Sequence, residues 1–255
     1  MSLIESTFIP LRYPDDDLIP LLQECTAEEL DPLVGYIVRK GQLSAQLTET
    51  SHPLFWANYP DHTKYVNEIA AEIQKFGGNT FSNFLRRGKG VPYKEIVCDV
   101  ADRFKVNYNK NREVEFIELQ LMLKVMEKAW DTMTAEEREE FFPELAQRNT
   151  KYSKAFPIAL AQAILLKGGV NSYAWLLRIA DAIARLILKR PLEWAATYLL
   201  IRGLSITIGP IGWAITGTWA AIDIAGPAYR VTIPCVLHIA MLRQKKLLEE
   251  ESKAA

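Results

Sequence analysis

Apolar residues recur along most of this chain at intervals of three and four, the period of a helix with one buried face. Leu30, Leu33, Val34, Ile37 and Val38 follow the capping box Thr26-Ala-Glu-Glu29, and Gly41 is the expected stop. Asp61 is placed to cap a helix whose apolar face is Tyr65, Val66, Ile69, Ile73 and Phe76, closed by Gly77-Gly78. Pro92 suits the first position of a helix carrying Ile96, Val97, Val100 and Phe104. Val114, Ile117, Leu121 and Val125 predict a further helix from Glu113 to Asp131, and Thr134 to Glu137 repeats the capping box. Strand-like alternation is nearly absent, with Ser44 to Thr50 as one short strand or loop. The pattern predicts an all-α fold, a multi-helix bundle with a hydrophobic helical hairpin in its C-terminal part.

That hairpin is read from the most apolar stretch. Between Ser172 and Arg190 the charges fall at Arg178, Asp181, Arg185 and Lys189, a narrow polar stripe on an otherwise apolar helix. Pro191 starts another helix through Trp194. Gly203 to Ile222 then runs 20 residues without a charge. That is about the length of a membrane span, but Gly209-Pro210-Ile211-Gly212 interrupts it and predicts a bend between two short helices. Pro234 is expected to kink or restart the helix that leaves through Arg243, Lys245 and Lys246 into an acidic tail.

Charge changes the picture only when it is divided. The 255 residues carry a net charge of −1, which argues against a dedicated nucleic-acid binder. Residues 1–152 hold 18 basic and 25 acidic residues; residues 153–255 hold 12 and 6. The division suggests an acidic helical part at 1–152 (with a short module at about 1–41), a basic apolar part at 153–248, and a frayed tail at 249–255. Four of the six tryptophans, Trp175, Trp194, Trp213 and Trp219, lie in the basic part. Basic residues and tryptophan both favour a lipid interface. The same helices equally suit the centre of a bundle, and the two readings are compatible.

Chemistry is sparse. Cys25, Cys98 and Cys235 are too few and scattered for a disulfide framework, which fits a reducing compartment. Cys98 stands beside Asp99 and Asp102, an acidic setting that disfavours a thiolate, and is expected to be a buried structural residue. His52, His62 and His238 form no zinc-ligand spacing, and His52 and His62 read better as surface or helix-capping groups than as ligands. The candidate anion site is Phe84-Leu-Arg-Arg-Gly-Lys-Gly90, where Arg86, Arg87, Lys89 and Lys94 surround two glycines just before a helix N-terminus. It lacks phosphate-loop spacing, and a glycine-jointed turn with solvated cations explains it equally. No catalytic residue, metal site, cofactor or small-molecule substrate is expected, and the protein is not expected to be an enzyme.

Several long strings carry a resemblance: Tyr13-Pro-Asp-Asp-Asp-Leu18, Phe76-Gly-Gly-Asn-Thr-Phe81, Gly88-Lys-Gly-Val-Pro-Tyr-Lys-Glu-Ile-Val-Cys-Asp-Val-Ala-Asp102, Val106-Asn-Tyr-Asn-Lys110, Gly209-Pro-Ile-Gly-Trp-Ala-Ile-Thr-Gly217 and Asp223-Ile-Ala-Gly-Pro-Ala-Tyr-Arg-Val-Thr-Ile-Pro234. Across nearly its whole length the chain resembles the YaaW-like family of uncharacterised bacterial proteins. The resemblance implies a bacterial, cytoplasmic origin, with a small separate N-terminal module and no catalytic residues to carry over. Relatives often have a second cysteine where this chain has Ala101, so a CxxC reading is removed here. A weak likeness of the middle region to respiratory-complex assembly chaperones is an analogy of fold, not of site.

The expected function is therefore non-enzymatic binding of a partner protein, or reversible association with an anionic membrane surface, by a cytoplasmic protein peripheral to the inner membrane. The residues expected to carry it are Arg178, Arg185, Lys189, Arg190, Trp194, Arg202, Gly209, Pro210, Gly212, Trp213, Trp219 and Arg230. Alternatives are a chaperone or assembly factor for a hydrophobic client, and a membrane-perturbing effector that hides its hairpin.

Overall fold

The computed structural model describes residues 14–38, 55, 57–77, 90–141, 158–167, 169–194 and 229–254. Nine α-helices are defined among them: α1 (Ile19–Gln23), α2 (Ala27–Val38), α3 (Val66–Gly77), α4 (Tyr93–Phe104), α5 (Val114–Thr132), α6 (Ala135–Phe141), α7 (Ile158–Lys167), α8 (Gly169–Leu188) and α9 (Tyr229–Ala254). A 3-10 turn at His62–Tyr65 leads into α3. No strand occurs among the described residues. The all-α expectation holds. The predicted hairpin around Gly209 to Gly212, with Arg202, Trp213 and Trp219, lies outside the described residues, as does Ser44 to Thr50.

The chain forms two compact units, Met1–Asp99 and Val100–Ala255. This boundary falls inside α4, whereas the change in charge falls near residue 152. In the first unit, α1 packs on α3, and α2 packs on α3 and the 3-10 turn. Leu22, Leu30, Leu33, Tyr36, Ile69 and Ile73 supply its core. Both ends of the capping box at Thr26 close: Glu29 N–H donates to Thr26 Oγ1 at 3.3 Å, and Thr26 N–H to Glu29 Oε2 at 2.8 Å. Asp61 caps the 3-10 turn through Thr63 N–H. Gly90, with φ of 74°, lets the chain press against α3, where Val91 N–H reaches Gln74 O at 3.1 Å. A Cβ at Gly90 would stand 2.4 Å from Gln74 backbone atoms, so no other residue fits.

In the second unit α8 and α9 share the largest contact, α7 packs on α8 and α5, and α9 packs on α5. Ser172 near the start of α8 donates to Gln244 towards the end of α9 at 3.3 Å. Ser172 to Ala184 and Val231 to Leu242 are buried without interruption. Only antiparallel helices let those two stretches overlap while Ser172 meets Gln244. Leu176, Ile179, Ile183, Val236 and Ile239 are fully buried in this unit. The second capping box closes like the first, with Glu137 N–H to Thr134 Oγ1 at 3.2 Å.

Two expectations shift. Pro92 stands just ahead of α4, its carbonyl accepting from Glu95 N–H at 3.0 Å. Pro234 does not restart a helix. It sits inside continuous α9, as Pro32 does inside α2. Each is the sixth residue of its helix, so a single carbonyl in the first turn loses its donor. α9 also continues through the acidic Glu249 to Glu251, where Lys245 Nζ meets Glu249 at 2.9 Å.

Candidate functional site

The C-terminal basic residues are held by α8, the turn after it and the start of α9. α8 ends at Leu188, and Lys189 takes a left-handed backbone with φ of 60°. The chain then folds back, because Leu192 N–H donates to Asp181 Oδ1 at 2.8 Å while Arg185 Nε donates to Asp181 Oδ2 at 2.7 Å. Asp181 is fully buried. One buried carboxylate therefore ties the last turn of α8 to the returning strand of chain. Lys189 and Arg190 are left exposed at the tip. The antiparallel pairing brings the first turn of α9, with half-buried Arg230, to the same end.

The structure divides the predicted set. Lys189, Arg190 and Arg230 share one end of the α8–α9 pair, with Arg185 tied to Asp181 beside them. Arg178 is a correction: it was expected on a polar stripe facing a partner, yet it is 1% exposed. Helical periodicity shows which residues share a face, but not whether another helix covers that face. Here the stripe at Arg178 and Asp181 turns into the unit. Trp194 is half-buried, and its ring centroid lies 5.9 Å from Lys245 Nζ of α9. Among the described residues no helix is long and apolar enough to cross a membrane.

Of the candidate anion loop, Arg86, Arg87 and Lys89 lie outside the described residues, and Lys94 is half-buried in the first turn of α4. The helix end they were expected to serve is occupied from within. Tyr93 N–H, the first amide of α4, donates to Asp15 Oδ2 at 2.6 Å. The same oxygen accepts from Gln74 Nε2 at 3.1 Å, and Asp15 Oδ1 accepts from Asp17 N–H at 3.2 Å. An internal carboxylate thus takes the place of an external anion at that amide.

His62 also departs from expectation. Rather than a surface group it is 1% exposed. Its Nε2 faces Asp31 Oδ1 at 3.3 Å and its Nδ1 is hydrogen-bonded to the Tyr65 hydroxyl, joining α2 to the 3-10 turn. Burial, reinforced by Tyr59, Asp31 and Asp61, pushes the Tyr65 phenol up to about 12. Cys98 is part-exposed rather than buried, while Cys25 and Cys235 are buried and burial pushes the Cys235 thiol far up. No group of three metal-ligating side chains occurs among the described residues.

Sequence reasoning missed Asp15 and the link between α5 and α9. In that link Arg243 Nε donates to Glu118 Oε2 at 2.9 Å, and its Nη1 lies 3.5 Å from Glu115 Oε1. Glu118 is 2% exposed. The partners are 125 residues apart in sequence, and local spacing carries no trace of such a pair. The available signal was the occurrence of charged residues at positions inside an apolar stripe.

Among proteins of known sequence, one from Helicobacter pylori strain J99 named UPF0174 protein is 45% identical over 246 residues, covering 95% of this chain and 97% of its own length. A UPF0174 protein of Helicobacter pylori strain 26695 is 39% identical over 190 residues, 72% of this chain and 90% of its own. The UPF0174 protein YaaW of Escherichia coli K12 is 29% identical over 239 residues, 92% of this chain and 96% of its own. No family model matches the chain, and no solved structure matches it. From the near full-length similarity to these bacterial proteins, the chain belongs to the UPF0174 family.

Proposed function

We propose that this is a non-enzymatic helical protein that associates reversibly with an anionic membrane surface through its basic, apolar C-terminal part. The observation that carries the reading is the pair Lys189 and Arg190, exposed at the end of α8 beyond the buried runs Ser172 to Ala184 and Val231 to Leu242, with Arg230 at the same end. A lysine or arginine near an anionic bilayer contributes about 1 kcal/mol, so two or three give weak, salt-sensitive binding that can reverse. The uncharged run Gly203 to Ile222 and its tryptophans follow in sequence from this end. They supply the apolar component that surface charge alone lacks. The reading places the protein in the cytoplasm, against the inner membrane.

The test is sedimentation of the purified chain with vesicles of phosphatidylcholine alone or mixed with phosphatidylglycerol. Binding to the anionic vesicles, lost with rising salt and in Lys189→Glu/Arg190→Glu, supports the proposal. Absence of sedimentation at low salt refutes it. Retention of a hydrophobic client without lipid would favour the assembly-factor alternative.

A further inference from the structure

The stretch of chain that follows the α8 turn carries a tryptophan whose polar end is buried. Leu192 is 2% exposed and Trp194 half-buried, so Pro191 to Trp194 lies back on the unit rather than in solvent. It is held there by Leu192 N–H, which donates to Asp181 Oδ1, and by the Trp194 ring, 5.9 Å from Lys245 Nζ. Lys245 is shared, since it also pairs with Glu249. The Trp194 indole Nε1–H is itself buried and meets no acceptor among the described residues. A buried indole N–H ordinarily finds a partner, and at a membrane interface water and headgroup oxygens supply one. The docked position therefore leaves unmade a hydrogen bond that the lipid interface makes.

Asp181 couples this stretch to the basic tip. It is fully buried, and a buried carboxylate is tolerated where its oxygens are paired. One oxygen takes Leu192 N–H and the other takes Arg185 Nε, whose side chain is 30% exposed beside Lys189 and Arg190. A headgroup phosphate arriving at that end can take the Arg185 guanidinium in a bidentate pair. Asp181 then keeps a buried charge with one partner fewer, which disfavours the closed arrangement and its hold on Leu192.

We propose that Asp181 is a latch that keeps Trp194 docked in solution, and that an anionic headgroup taking Arg185 opens it and delivers Trp194 to the lipid interface. This rests on the membrane association proposed above and names how that same site is regulated. The latch is read without lipid, by acrylamide quenching of tryptophan fluorescence in the full chain. Asp181→Ala should raise the quenching, and adding Trp194→Phe should remove the rise. Arg185→Gln leaves Asp181 and Leu192 in place and should move the same way, so it decides the matter if Asp181→Ala fails to fold by circular dichroism. Delivery is read with phosphatidylglycerol vesicles whose acyl chains are brominated and quench a tryptophan that enters the bilayer. Quenching of the unaltered chain should diminish in Trp194→Phe. Opening the latch removes the cost of a partly populated competent state, so Asp181→Ala should bind these vesicles at least about threefold more tightly. Equal acrylamide quenching in the unaltered chain and the folded opened variants overturns the latch, whatever the vesicles show. A rise that survives Trp194→Phe overturns it too, because the opening is then elsewhere. Lipid quenching unchanged in Trp194→Phe, or no tighter binding by Asp181→Ala, overturns the delivery. If Trp194 becomes accessible in solution but neither the unaltered chain nor Asp181→Ala sediments with vesicles, the membrane reading is refuted and the delivery with it. The acrylamide result separates that outcome from a failure of the latch.

Discussion

Asp15 accepts three hydrogen bonds from residues that lie up to 78 positions away, and it is only 8% exposed. Asp15→Ala removes an acceptor of the first amide of α4 and of the Gln74 side chain. A buried donor left unmade costs about 1–3 kcal/mol, so the midpoint of urea unfolding of the first unit should fall accordingly, with an unchanged slope. Glu72 gives a prediction in pH. Burial raises its carboxyl above the ordinary value of 4.5, with Lys75 opposing. The folded chain thus keeps a proton that the unfolded chain has already released. The resulting stabilisation is complete below the unfolded value and is lost as pH rises through the folded one. As pH rises above the ordinary carboxyl value of 4.5, unaltered protein should lose stability relative to Glu72→Gln, measured by thermal or urea unfolding. None of this was legible in the sequence. Asp15 sits in an acidic triplet that reads as solvated surface, and Glu72 looks like the polar face of an amphipathic helix.

Helix ends were the most legible elements, because every partner lies within a few residues. Both Thr-Ala-Glu-Glu boxes close as the spacing predicts. Thr26→Ala should cost about 1 kcal/mol, since α2 packs into the first core. Thr134→Ala should mainly loosen the seven-residue α6, seen as faster proteolysis near Arg138 with little change in global unfolding. Contacts between elements were not legible. Glu118 and Arg243 occupy positions that periodicity assigns only to a helix face, and the two helices are joined only by the tertiary fold. Removing one partner alone, as in Glu118→Leu, should cost about 3–5 kcal/mol by leaving a buried charge, and Glu118→Leu/Arg243→Leu should recover much of it. A double-mutant cycle by urea unfolding measures the coupling. A cycle with no coupling would mean that the pair does not hold α5 to α9.

At the scale of the molecule, hydrophobic period sufficed for the all-α class because long amphipathic runs leave few alternatives. Charge located the basic part but did not show how it is used. The stripe on α8 looked continuous in sequence, yet Arg178 and Asp181 turn inward and only Lys189 and Arg190 reach its exposed tip. The partition between buried and exposed cations comes from which neighbour covers the helix, and period alone does not specify that. The proposed membrane association rests on this tip. The most direct test is sedimentation with phosphatidylglycerol-containing vesicles at low salt, comparing the unaltered chain with Lys189→Glu/Arg190→Glu. The account predicts that the unaltered chain sediments with the vesicles and that the double variant, folded by circular dichroism, stays in solution. Equal sedimentation of the two, or none by either, would contradict it.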